Sequence, residues 1–389
     1  MRWIQSSLLL LLAARTFAED ASTVVDAAGT SSLLDLPAEP TDSAVLDELL
    51  TQEVTTKTTK KGNKGKKGKR GKKAQKTQKA KASTELSEMV ALTGGRFWFG
   101  SQLGIGDKIL AHVARDGAEK RRQVRLEAFM IDQTAVSVAQ FEAFVEDTGH
   151  VTDAERYRWS FVLEGLASES VRGQVDGPGG YGRVKDAEHW MAVPGAYWAA
   201  PHGDSDSADR DEYLALPVTQ VSLRDAEQFC AWAGRRLPSE EEWEYAARGG
   251  RNKQPYPWGE EFKPNQMNIW EGQFPSQNLL LDGFYGPAPV REYSPNAYGL
   301  YNMLGNVWEW VSSTGAEKAV MRGGSFVDSV DGKFNHIVLV SSKQENEGDS
   351  TASNIGFRCA KTPPPALVPI PPGGGTAETA AEDVIDLDF

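Results

Sequence analysis

VSLRDAEQFCAWAGRRLPSEEEWEYAARGG, residues 221–250, carries the densest local signal in the chain. Ala226, Phe229, Cys230 and Ala233 recur at helical spacing and share one face, and Gly234 ends that helix. Leu237-Pro238 makes a short break. Ser239 followed by Glu242 has the spacing of a capping box, and three successive acids favour the first turn of the next helix. Trp243 and Ala247 lie four apart on one face, and Gly249-Gly250 stops the helix. The stretch predicts two short helices with a tight connection, packed by aromatic side chains.

Two further stretches carry a local pattern. VRLEAFMID, 124–132, has mixed alternation and reads as one strand. After it, Ser137 with Gln140 resembles a capping box, Val138, Phe141, Phe144 and Val145 follow helical spacing, and Gly149 closes the helix. In NAYGLYNMLGNVWEWVSSTGAEKAVMRGGSF, 296–326, Gly299, Gly305, Gly323 and Gly324 suggest close turns. Trp308 and Trp310 alternate along an extended piece, with the Glu309 carboxylate between them. Between about 90 and 361 there is no composition break, no internal repeat and no long helix. The expectation is one α+β domain with low regular secondary structure and long loops.

Both ends differ from this middle. Arg2, the apolar run Leu8–Ala14 and the small residues around Thr16-Phe17-Ala18 read as a secretory signal over 1–18, cleaved after Ala18. Residues 19–89 are predicted disordered. Within them the tract from Lys57 to Lys81 holds thirteen basic residues and no acidic one. With so little apolar surface to bury, self-repulsion opposes compaction. Such a tract suits polyanions such as heparan-like glycans, or serves as a solvated tether; for a secreted chain nucleic acid is the least expected partner. Residues 362–389 read as a proline-rich spacer followed by a flexible acidic end, and Asp386–Phe389 is not a usual endoplasmic reticulum retrieval signal. No later segment has eighteen consecutive apolar residues, so no transmembrane span is predicted. No asparagine lies in an Asn-x-Ser/Thr sequon.

The chain has two cysteines, Cys230 and Cys359. In an oxidising compartment the expectation is a disulfide between them, which would close a loop worth roughly 4–5 kcal/mol in chain entropy. That pairing leaves no thiol for catalysis; two buried thiols is the alternative.

GGRFWFGS (94–101), the 124–132 and 221–250 stretches, YPWGEEF (256–262), NAYGLYNMLGNVWEWVS (296–312), RGGSFVD (322–328) and SNIGFRCA (353–360) together resemble the formylglycine-generating enzyme family, the sulfatase-modifying factors. The resemblance spans about 90–361. It implies the family fold, a C-type lectin-like α+β domain. WSF at 159–161 and the Trp-rich piece at 190–198 resemble the animal branch.

Active members oxidise a sulfatase cysteine to formylglycine with oxygen and copper held by two thiolates. Soft thiolates select a cuprous ion. Counting from the Gly323-Gly324-Ser325 turn, the resemblance places those cysteines at Asp328 and Lys333. Asp328 is a hard oxygen donor and Lys333 adds positive charge, so copper is not expected. His336 is a competent ligand in principle, but a single histidine beside Lys333 makes a poor site. DSVDGKFNH (328–336) resembles the cysteine-lacking branch of the family. The resemblance therefore implies a non-catalytic paralogue that binds sulfatases or the active enzyme, in the endoplasmic reticulum lumen or secreted. An active oxidase with unusual ligands, or a glycan- or matrix-binding protein, are the alternatives. The resemblance also implies two structural calcium sites, one from Asn268, Ile269, Asp282 and Phe284, the other from Asn302, Gly305, Val307 and Glu309. Their amide, carbonyl and carboxylate oxygens are hard donors of the kind calcium prefers.

Overall fold

The computed structural model describes residues 84–101, 121–204, 210–312, 318–332 and 335–364. The signal segment 1–18, the Lys57–Lys81 tract, the tail beyond 364 and Lys333 lie outside the described residues.

The expected single strand over 124–132 is two strands. β3 (Arg122–Leu126) pairs antiparallel with β2 (Gly95–Phe99), whereas β4 (Phe129–Asp132) pairs with β1 (Met89–Leu92) on one side and β12 (Ala360–Lys361) on the other. The chain changes sheet at Glu127-Ala128. Gly94, between β1 and β2, turns at the same level with φ +68; a Cβ there would lie 2.4 Å from the Leu126 carbonyl oxygen. Alternation along the sequence does not show where a strand changes partners.

The helices follow their caps. α1 (Val138–Thr148) begins at a reciprocal Ser137–Gln140 capping box and ends at Gly149 in the left-handed conformation. Two short helices follow, α2 (Asp153–Tyr157) and α3 (Glu169–Asp176), then α4 (Arg210–Leu214). The 221–250 stretch forms α5 (Leu223–Trp232) and α6 (Glu240–Arg248), as its pattern predicts. α6 has the Ser239–Glu242 box. α5 has one as well, Ser222 with Asp225, which the sequence reading did not single out.

Among the described residues two further sheets hold the remaining strands. β5 (Trp159–Leu163), β6 (Arg183–Val184) and β7 (Ala187–Pro194) form one, with β7 central. The sheet that positions the site has the order β10-β9-β8-β11, from Lys343–Asn346, Ala319–Arg322, Trp308–Val311 and Ile355–Phe357. Only its β8–β11 pair is parallel. Every residue of β8 and β9 is buried, because the sheet divides two cores. Trp308, Trp310 and Met321 pack with Phe141 of α1 and Phe229 of α5. Val311 and Val320 pack on the other side with Trp243 of α6. Glu309 shares the Val311 face by strand alternation.

Cys230 of α5 and Cys359, which lies between β11 and β12, form the expected disulfide. Beside it, the buried Asp132 accepts the Cys359 N–H at 3.0 Å and pairs with Arg235. No helix among the described residues is long and apolar enough to cross a membrane.

Candidate functional site

The rim begins at Gly323 and Gly324, both at positive φ. A Cβ on Gly323 would lie 2.9 Å from the Trp243 ring, and one on Gly324 2.8 Å from the Val338 side chain. The backbone thus passes between two packed side chains, and only glycine fits there. The next turn is closed by Asp328. Its Oδ2 accepts the Ser325 N–H at 2.8 Å and the Ser325 hydroxyl at 2.6 Å, and its Oδ1 accepts the His336 N–H at 3.2 Å. Asn354 donates to the Ser325 hydroxyl at 3.0 Å, and the Asp328 carbonyl accepts the Trp270 N–H at 2.9 Å.

Asp328 is therefore built into the wall, with only 1% of its surface exposed. Burial pushes its carboxyl above the usual range, against the pull of His336 and the Ser325 hydrogen bonds. Both of its oxygens are taken up inside the protein, two of the bonds closing the Ser325–Asp328 turn and the third coming from His336. The His336 ring meets Trp308 edge-on at 5.3 Å, which fits a packing role. Next to the turn, Phe326 and Val327 pack with Leu163, Trp270 and Phe274, and Trp190 and Tyr285 flank them.

The residues expected at the first calcium site come together. Asp282 Oδ2 accepts the Ile269 N–H at 2.9 Å, and its Oδ1 accepts the Phe284 N–H at 3.0 Å. Asn268 spends its Nδ2 on the Gly286 carbonyl and on Asn306 Oδ1, while its Oδ1 is buried with no hydrogen-bond partner. At the second, Asn302 donates to the Pro289 carbonyl, and its Oδ1 too is buried and unpartnered. Gly305 runs so close to the other loop that a Cβ would stand 2.3 Å from the Asn268 carbonyl oxygen, and the Asn306 N–H donates to that same oxygen at 2.8 Å. An orphaned buried amide oxygen costs roughly 1–3 kcal/mol, and a hard cation removes that cost. One such oxygen stands at each expected site, Asn268 Oδ1 and Asn302 Oδ1, whereas the Glu309 oxygens expected at the second site are taken up by Arg358 and Trp243. Among the described residues no three side chains from His, Cys, Asp and Glu form a metal-holding group.

Glu309 has a further partner that the sequence reading missed. Arg358 donates to both of its oxygens, each at 2.7 Å, and the Trp243 indole N–H donates at 2.7 Å. Arg358 also donates to the carbonyls of Asp132, Gln133 and Tyr301. The buried charge among tryptophans is thus neutralised by an arginine 49 positions away in sequence. Its trace in the sequence is the Arg of SNIGFRCA, to which spacing alone assigns no role.

Residues 73–363 match the model of the sulfatase-modifying factor enzyme 1-like domain. The chain belongs to this family. Among its relatives, the protein named "Inactive C-alpha-formylglycine-generating enzyme 2" from Mus musculus is 43% identical over 280 residues, covering 70% of this chain and 85% of the relative. The formylglycine-generating enzyme of Thermomonospora curvata is 42% identical over 303 residues, 71% of this chain and 93% of its own. That of Mus musculus is 38% identical over 296 residues, covering 71% of this chain and 75% of the relative. Among solved structures, PvdO from Pseudomonas aeruginosa aligns with a TM-score of 0.48 at 21% identity, over 71% of this chain and 94% of that one. The architecture is the formylglycine-generating enzyme fold, an α+β domain with much of its chain in loops. This sulfatase-modifying-factor chain keeps the family scaffold and holds both of its cysteines in one disulfide.

Proposed function

We propose that this sulfatase-modifying-factor paralogue is non-catalytic, and that it binds sulfatases or the active formylglycine-generating enzyme within the secretory pathway. The observation that carries this reading is Asp328. By motif count it stands where active members place a copper-binding cysteine, and here it is a buried carboxylate that accepts three hydrogen bonds. A carboxylate is a hard donor and a poor holder of cuprous ion. The chain's only two cysteines are bonded to each other, so no thiolate is left to take the role. Relatives whose printed name includes "Inactive", at 42–43% identity, support the same reading.

The intact scaffold supports a binding role. Beside the rim, the half-buried Trp190 and Tyr285 pack against the buried Trp270 and Phe274. Partly exposed rings such as Trp190 and Tyr285 anchor peptides through area and ring geometry rather than through reaction. Asn268, Ile269, Asp282 and Phe284 would hold one calcium ion, and Asn302, Gly305 and Val307 a second, with Glu309 already paired with Arg358. Calcium there supplies cross-linking of loops and no redox chemistry.

The test is oxidation of a sulfatase-type cysteine peptide by the purified chain with copper and a reductant, read by mass spectrometry. No formylglycine product is expected. Product from the natural chain would overturn the reading. In parallel, the natural chain as bait should retain a sulfatase or the active enzyme in calcium; failure to retain either counts against the binding role.

A further inference from the structure

We propose that the outer face of the β2–β3 pair, which carries Arg96, Arg125 and Lys253 around Trp98, is a binding site for a sulfated glycan chain. The site is separate from the rim and independent of the sulfatase-binding reading above.

Strand alternation gives the pair two faces. On β2, Phe97 and Phe99 are buried, whereas Arg96 is exposed and Trp98 half-buried. On β3 the exposed Gln123 and Arg125 stand opposite Trp98 and Arg96 in the antiparallel register. Arg96 and Arg125 are therefore direct cross-strand neighbours, with Cβ atoms about 5 Å apart, and like charges in that position destabilise a strand pair. Arg122, on the inner face, shows the contrast. Its guanidinium lies over the Phe99 ring at 4.6 Å and pairs with Glu241 at 2.9 Å. Arg96 and Arg125 make no ion pair among the described residues, and the exposed Glu127 just past β3 neutralises neither. An oxyanion bridging the two guanidinium groups turns that repulsion into attraction.

The third cation comes from the loop after α6. Asn252 Oδ1 accepts the Trp98 N–H at 3.4 Å, and Arg121 donates to the Lys253 carbonyl at 3.5 Å, so this loop lies against the strand pair. Lys253 Nζ stands over the Trp98 ring, 6.0 Å from its centroid. A ring face held by a cation is not a platform on which a nucleic-acid base stacks. The face offers point charges instead, two of them planar forks suited to bidentate contact with sulfate oxygens. The net charge of the chain is −12, so bulk charge does not account for this face. The Lys57–Lys81 tract ends 15 positions before Arg96, within about 50 Å of extended chain. A long polyanion held at Arg96 and Arg125 therefore has a second run of cations in reach. The signal segment expected over 1–18 favours an extracellular glycan over nucleic acid as that polyanion.

The experiment is calorimetric titration of the full chain with a heparin oligosaccharide, at low and at physiological salt. To isolate the folded face, the parent is a full-length chain in which every basic residue of the Lys57–Lys81 tract is changed to Gln. This parent should still bind. Adding Arg96→Gln with Arg125→Gln should weaken binding about tenfold or more and flatten its salt dependence. Arg96→Lys with Arg125→Lys keeps the charge and should restore part of the affinity. Arg158→Gln with Lys185→Gln removes the same charge beside β5 and β6, in a separate sheet, and should bind like the parent. Because the arginine pair repels itself, Arg96→Gln with Arg125→Gln should not lower the melting temperature. A parent that binds no heparin, or equal losses in the two charge-matched Gln variants, would overturn the proposal. Tighter binding of single-stranded DNA than of heparin at physiological salt would overturn the assignment of a glycan.

Discussion

Arg358 is fully buried and ties several backbone segments to β8. It carries the charge opposite Glu309 and satisfies three backbone carbonyls, and neither partner reaches solvent. Arg358→Ala leaves a buried carboxylate with no counter-charge, and should cost about 3–5 kcal/mol in chemical denaturation. A loss below 1 kcal/mol would show that Glu309 has another cation. Asp132 makes a prediction about pH. Burial pushes its carboxyl up to about 7, against the pull of Arg235. A carboxyl whose folded-state value is raised keeps its proton longer in the folded state than in the unfolded one. Its contribution is fully present below the ordinary aspartate value, near pH 4, and is lost as pH rises through about 7. Stability measured between pH 4 and 7.5 should therefore fall more steeply for the natural chain than for Asp132→Asn. Parallel curves would refute the assignment.

Among the elements, α5 and α6 offer a matched comparison. Both start at a serine whose hydroxyl accepts the N–H of the third helical residue, at 3.1 Å in each case. Ser239→Ala removes one cap and should cost about 1 kcal/mol. Ser222 also donates its hydroxyl to Asp153 at 2.7 Å and is wholly buried. Ser222→Ala should therefore cost more, about 2 kcal/mol, because Asp153 loses a donor inside the protein. Urea midpoints at constant m-value separate the two cases, and equal losses would show that the Asp153 hydrogen bond adds nothing. Both caps belong to the same serine–acid pattern, yet only the Ser239 one was picked out from sequence. Its acids stand in an unbroken run before Trp243, while Asp225 is followed at once by the apolar positions of α5.

For the whole molecule, the Cys230–Cys359 disulfide bridges a sequence separation of 129. Reducing it should lower stability by about 2–5 kcal/mol, read as a drop in calorimetric melting temperature with and without dithiothreitol, and no drop would show that packing alone holds α5 to the β11–β12 segment. Much of this architecture is legible in the residues. Helix starts and glycine stops follow from local chemistry, because caps and left-handed turns are satisfied within a few residues; the pairing and the absence of a spare thiol follow from there being two cysteines. The motif order likewise points to the family fold. Other features follow only from the tertiary structure. The break of 124–132 into two strands depends on which sheet each half joins. The Arg358 charge opposite Glu309 lies 49 residues away, and Arg96 faces Arg125 only through the register in which β2 and β3 pair. Asp328 shows the division best: its identity removes a thiolate, but only the folded turn, which brings Ser325 and His336 to its two oxygens, makes it part of the wall. Short-range hydrogen bonding is written in sequence spacing; the pairing of buried charges across the chain is set by packing, which brings distant groups together where water cannot solvate them.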